Sequence, residues 1–159
     1  MPARQLGRAE VARRKQRLTA LIAGIDAAGL SPELTAHYSR YICVLVSGYA
    51  EQSVKELVTQ YCRSKANEPI QKYVGKQLDR LRNIDLEKLK QLVESFRVDW
   101  WGQLAINRED ELSAFGSVAT VRNAIAHGAE TGITMGTVKQ YFEQISVVLD
   151  DLCDLFDPE

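Results

Sequence analysis

The chain holds only two histidines, and one of them, His127, follows Arg122 by five positions in the stretch VRNAIAHG, residues 121–128. A planar guanidinium grips a phosphate through paired hydrogen bonds, and an imidazole is the side chain that titrates closest to neutrality. Together the two suit phosphodiester chemistry. Cutting RNA without a metal needs a base for the 2′-hydroxyl proton, an acid for the departing 5′ oxygen and a cation for the crowded phosphorane. One imidazole does not readily make both proton transfers. The other histidine, His37 in TAHYSRY, has no polar companion at helical spacing to mark a site. A twofold dimer that brings two copies of Arg122 and His127 together supplies two bases and two cations. The same residues also have a plainer use, since a polar i,i+4 pair before a glycine can end a helix, with His127 near the negative end of its dipole.

The element that must position this pair is a helix from about Asp110 to His127. At 100° per residue, Ala114, Val118, Val121 and Ile125 fall on one stripe, the expected core face. Gly116, Thr120, Asn123 and His127 fall roughly opposite and form a small, polar surface. Such a surface lets another helix come close, from the same bundle or from the same helix of a second subunit. Arg122 lies on the boundary, about 140° around from His127, with Ala119 and Ala126 leaving room for its long stem.

Helices are expected over almost all of the remaining chain. Leu18, Leu21, Ile22 and Ile25 recur at helical spacing and Gly29 closes that run, so the first helix is basic at its head and apolar at its tail. Ser31, Pro32 and Glu33 open a second, long helix that runs to about Lys65 on an apolar 3.6-residue period interrupted by Gly48. Its apolar character places it at the centre of a bundle. Asn67 and Asp85 are N-caps for two amphipathic helices. The stretch VDWWGQLAINRED, residues 98–110, breaks the pattern and is expected to be an ordered connection. Its Trp100 and Trp101 can stack on bases, although tryptophans flanking a bundle more often close its core. A loop, ETGITMG, separates the motif helix from a last helix over about Thr137 to Phe156. No segment shows period-two alternation with paired turn signals. The expected fold is therefore an all-α, up-and-down helical bundle that dimerises through the motif helix. Residues 1–30 form a basic N-terminal helix and residues 31–159 the bundle proper, the two making one folded unit.

Composition sets the outer limits. Of 159 residues, 45% are apolar and 26% charged, which is ordinary for a globular chain able to bury its own core. No apolar stretch reaches the roughly 20 residues that span a bilayer, and MPARQLGRAEVARRKQRL lacks the apolar centre of a signal peptide, so a cytoplasmic protein without membrane partners is expected. Cys43, Cys62 and Cys153 are far apart and odd in number, fitting neither a metal site nor a disulfide framework. They are expected to be reduced core thiols. A net charge of −1 hides an uneven distribution: Arg4, Arg8, Arg13, Arg14, Lys15 and Arg17 crowd the start, and Asp150, Asp151, Asp154, Asp157 and Glu159 the end. A basic arm of this kind can hold phosphate or simply be a solvated helix face. Phosphate-loop, zincin and nucleophile-elbow motifs are absent, and no metal or cofactor is expected.

The segment TVRNAIAHG resembles the signature of the HEPN superfamily, an R-x4-6-H pattern near the end of a helix in an all-α bundle, here with a spacing of four. YICVLVSGYAEQSVKELV is similar to an upstream helix of these proteins in which small and aromatic residues precede a glutamate, here Glu51. Among the branches, the chain resembles most the RiboL-PSP-type and similar stand-alone domains of bacterial toxin and defence systems, over about residues 33–156 and with the basic N-terminal segment left outside. The resemblance implies a metal-independent endoribonuclease that works at a homodimer interface and leaves 2′,3′-cyclic phosphate ends. It implies Arg122 and His127 as the catalytic pair, Asn123 as the polar residue beside the arginine, and Glu51 as a residue that orients them. The implied partners are RNA, a second copy, and an antitoxin or other defence protein. A branch paired with a nucleotidyltransferase antitoxin often carries a tyrosine two residues after the histidine; Ala129 stands there, so the resemblance does not extend to modification of such a tyrosine. The alternative is a non-catalytic adaptor of the same fold that binds RNA, nucleotide or a partner protein.

Overall fold

The structure, a computed structural model, describes residues 6–157. Over these residues the chain forms seven helices: α1 (Leu6–Ala27), α2 (Pro32–Lys65), α3 (Glu68–Arg80), α4 (Leu86–Phe96), α5 (Val98–Asn107), α6 (Glu109–Ala126) and α7 (Met135–Phe156). Local chemistry fixes most of the starts. Ser31, Asn67 and Asp85 each accept a hydrogen bond from the backbone amide three residues on, those of Leu34, Ile70 and Lys88. These are N-caps that satisfy amides a helix would otherwise leave unpaired.

Four long helices make the bundle. α2, about 50 Å long at 1.5 Å per residue, is the spine, and Ile42, Val46, Leu57 and Val58 along it are almost wholly buried. α7 runs parallel to it, as ring contacts from Tyr49 to Phe142 and from Tyr61 to Phe156 show. α1 runs antiparallel to α7, clipped at one end by Lys139 to Asp26 at 2.6 Å and at the other by Arg8 to Asp154 at 2.7 Å. α6 runs antiparallel to α7, held near its start by Arg108, whose Nε donates to Asp151 at 2.7 Å. α3 returns along α2, and α4 and α5 lead back to the start of α6. Among the described helices none is long and apolar enough to cross a membrane.

Two expectations need correction. Residues 98–107 are not a connection but the helix α5. Arg97, just ahead of it, offers no side-chain cap, so no start signal stands there. The helix is held instead by burial of Leu104 and by Trp100, whose ring packs edge-on against Phe156 at 5.0 Å and Tyr61 at 6.1 Å. Trp100 thus closes the core and is committed to its neighbours, with the Arg97 guanidinium 5.9 Å over its face. The last helix also starts two residues earlier than the sequence suggests, because Thr134 caps it by accepting from the Thr137 amide.

All three cysteines are buried and free. Burial pushes the Cys43 thiol up to about 11 and the Cys153 thiol up to about 12, so both are neutral core groups at physiological pH.

Candidate functional site

α6 presents the motif. Ala114 and Val118 are buried, and Val121 and Ile125 pack against the core, as the helical wheel requires; Leu112, Phe115 and Ala119 widen that face. The helix ends at His127, with Gly128 beyond it at φ 75°. The Ala129 amide donates to the Ala124 carbonyl at 2.8 Å and the Gly128 amide to the Ile125 carbonyl at 3.1 Å. This pair of bonds is the Schellman arrangement, which needs a left-handed residue at the position Gly128 fills. The cap is therefore built by backbone alone. His127 is exposed, and among the described residues its imidazole has no hydrogen-bond partner, so the side chain is not what ends the helix.

Arg122 lies on the opposite side of the last turns, half-buried and free of any ion pair among the described residues. It lines a groove of about 490 Å³ between α1 and α2, together with Glu51, Asn83, Arg14 and Arg17, over an apolar floor that includes Leu18, Leu21 and Leu45. Three guanidiniums thus face one carboxylate. Glu51 is partly answered already: its Oε1 accepts the Asn83 backbone amide at 2.7 Å and lies 4.0 Å from Lys55 Nζ. Tyr49 also lines the groove, yet its hydroxyl is 3.1 Å from Ser146 Oγ, and burial pushes the phenol up to about 12 despite that hydrogen bond. It is a structural group rather than an acid or base.

Asn83, in the connection from α3 to α4, was not among the residues expected at the site. It joins α6 to α2: its amide nitrogen donates to Asn123 Oδ1 at 2.7 Å and to the Ala119 carbonyl at 3.4 Å, its Oδ1 accepts from Ser47 at 3.4 Å, and its backbone amide donates to Glu51. Its φ of 50° is left-handed, a conformation asparagine tolerates better than most residues. The signal in the sequence was local, an asparagine two residues ahead of the Asp85 cap.

The four sequence-derived residues thus divide. Arg122 and Glu51 line one groove, and Asn123 is tied to it through Asn83. His127 does not line the groove, and no hydrogen bond joins it to the other three. His37 is remote from this site in its bonding, but the expectation that it lacks a polar companion at helical spacing is overturned: Arg40, three residues on, places Nη2 2.6 Å from its Nδ1 on the exposed start of α2. The outward face of α6 is also less open than the wheel implies. A β-carbon at Gly116 would meet Leu86 at 4.0 Å, so the head of α4 covers that end, while Thr120 and Asn123 stay exposed. Among the described residues no cluster of three or more histidine, cysteine, aspartate or glutamate side chains is placed to hold a metal ion.

A family model described as RiboL-PSP-HEPN matches residues 9–157. The match takes in all but the first turn of α1, so the basic helix falls inside the family's extent rather than outside it. Neither a curated protein nor a solved structure matches the chain significantly.

Proposed function

Since the chain belongs to the RiboL-PSP-HEPN family, we propose that it is a metal-independent endoribonuclease that acts as a homodimer. Arg122 carries this assignment: an arginine with no ion pair among the described residues, beside two more arginines in an open groove, is equipped to hold a phosphodiester. In the reaction, an imidazole takes the 2′-hydroxyl proton and the 2′ oxygen bonds to phosphorus. The P–O5′ bond breaks, and a second imidazole returns a proton to the leaving oxygen. The products are a 2′,3′-cyclic phosphate and a 5′-hydroxyl. His127, unengaged at its helix end, is the proton carrier, and His127 of a second copy is the other. Arg122 neutralises the phosphorane, while Glu51 and Asn123, both bonded to Asn83, keep the α2 and α6 walls in register. An enzyme of this kind serves as a toxin or defence effector, held in check by an antitoxin or another defence protein.

Incubation of the purified protein with total RNA in EDTA, followed by denaturing gels and analysis of the fragment ends, tests the assignment. His127→Ala is expected to stay folded and bind RNA while losing about 10² to 10⁴-fold in cleavage. Arg122→Ala is expected to lose cleavage and some affinity, and Arg122→Lys to recover affinity better than rate, because an ammonium keeps the charge without the fork. Cleavage that vanishes in EDTA and returns with Mg²⁺, after controls for contaminating nuclease, sinks the proposal.

A second possibility has one observation in its favour, namely that within a single chain His127 stands apart from the groove. A domain that binds RNA, nucleotide or a partner protein without cutting needs only the groove. It predicts that Arg122→Ala weakens binding while His127→Ala changes nothing.

A further inference from the structure

We propose that the α1–α2 groove seats the stretch of single-stranded RNA next to the cleaved phosphate, with Arg14 and Arg17 on its backbone phosphates and Leu21 and Leu45 against a base. The identity of the occupant rests on the ribonuclease assignment; the existence of the subsite rests on the groove itself.

The placement of charge comes first. Arg14 and Arg17 stand one turn apart on α1 and line the same groove as Arg122 of α6, although more than a hundred residues separate them in the chain. Arg17 is exposed and has no ion pair among the described residues. Arg14 reaches Glu10 at 3.1 Å, but Glu10 is shared with Arg13, so two guanidiniums meet one carboxylate and this part of α1 keeps a positive charge. Glu51, the only carboxylate among the described residues that line the groove, is engaged by the Asn83 amide.

The shape is the second observation. Leu18 and Leu21 lie on the same α1 face as Arg14, at i+4 and i+7, so apolar surface begins where the cations end. A β-carbon at Gly48 would meet nothing within 4 Å, which leaves the floor of the groove open in the middle of an otherwise close-packed α2. The volume of about 490 Å³ lies within the range of small-ligand sites. Cations beside an exposed apolar shelf match a chain of alternating phosphates and flat bases. An acidic peptide would use the cations and leave the shelf empty.

The experiment is fluorescence anisotropy of a labelled single-stranded RNA on the full chain. Wild type is compared with R14Q/R17Q, with G48L, which fills the groove without altering charge, and with R63Q/K65Q, a charge-matched control at the exposed far end of α2. R14Q/R17Q is expected to raise Kd about tenfold or more and to flatten the plot of log K against log salt by about 1.4, two contacts at roughly 0.7 each on single strands. G48L is expected to weaken binding without that change in slope, and the control to do neither. Cleavage by R14Q/R17Q is expected to lose more in KM than in kcat.

Equal weakening by R14Q/R17Q and R63Q/K65Q overturns the subsite, as does unchanged binding by both R14Q/R17Q and G48L. In either case the ribonuclease assignment survives if Arg122→Ala and His127→Ala abolish cleavage. Binding that depends on the groove in a wild type that never cuts RNA leaves the subsite standing and removes the enzyme. Poly-glutamate that competes as well as RNA, and that R14Q/R17Q weakens equally, shows a general anion surface and overturns the subsite.

Discussion

Replacing Asn83 by glycine and by alanine separates two things that one residue does. Its backbone sits at φ 50°, and its side chain bonds Asn123 across the site at 2.7 Å. Alanine loses that bond, a cost of about 0.5 to 1.5 kcal/mol, and pays roughly 1 kcal/mol for a left-handed backbone without a polar side chain to favour it. The contacts at 3.4 Å to Ser47 and to the Ala119 carbonyl are long enough to add little. The expected loss for Asn83→Ala is therefore about 2 kcal/mol. Glycine loses the same bond and roughly 0.5 kcal/mol of unfolded-state entropy but has no left-handed strain, and its amide still holds Glu51, so about 1.5 kcal/mol is expected. Urea unfolding with a slope near 2 kcal/mol/M should place the two midpoints roughly 0.25 M apart, glycine the higher. Adding Asn123→Ala to Asn83→Gly should cost nothing more, because both remove one bond. Coincident midpoints for the glycine and alanine variants, or fully additive losses in the double variant, would refute the role assigned to Asn83.

Gly128→Ala should lower stability by about 1 kcal/mol through its φ of 75°, whereas His127→Ala, at an exposed position beside a cap made by backbone, should cost under about 0.5 kcal/mol in the same urea titration. Stability should fall as pH rises above about 9: the folded Cys43 and Cys153 stay protonated to about 11 and about 12 while the unfolded thiols ionise, so each contributes a loss of up to about 1.4 kcal/mol per pH unit, and Cys43→Ala/Cys153→Ala should flatten the curve. A thiol reagent at pH 8 should accordingly label the native protein far more slowly than the protein in denaturant. If α6 forms the dimer, Thr120→Glu, at an exposed position whose hydroxyl bonds only the Gly116 carbonyl of its own helix, should split it without unfolding the monomer, as sedimentation velocity and circular dichroism would show.

Most of the helical architecture was legible because its signals are local. Ser31, Asn67 and Asp85 announce helix starts by a side-chain oxygen ahead of an apolar period, and each makes the bond that role requires. Gly128 announces a helix end and takes the left-handed backbone that makes it one. α5 was illegible for the converse reason: no capping side chain precedes it, and what holds it is a cluster of Trp100, Tyr61, Phe96 and Phe156 assembled from three other elements. Periodicity within ten residues does not report a contact made across the bundle.

The site divides along the same line. A spacing of four residues between Arg122 and His127 describes two positions on one helix, and the sequence shows them as a pair. What each meets depends on chain far away: α1 and α2 supply the groove beside Arg122, and the connection before α4 supplies Asn83. The basic residues of α1, which as a charge run are more often a solvated face than a phosphate site, divide once folded. Arg13 pairs with Glu10, Arg8 with Asp154, and Arg14 and Arg17 line the groove that holds Arg122. A charge run on a helix has no direction until a second helix gives one side of it a neighbour, and here that neighbour is the stretch of α2 around Gly48 and Glu51. The arginine end of the motif therefore faces residues of its own chain, while the histidine end faces outward, the side on which the proposed function requires a second copy.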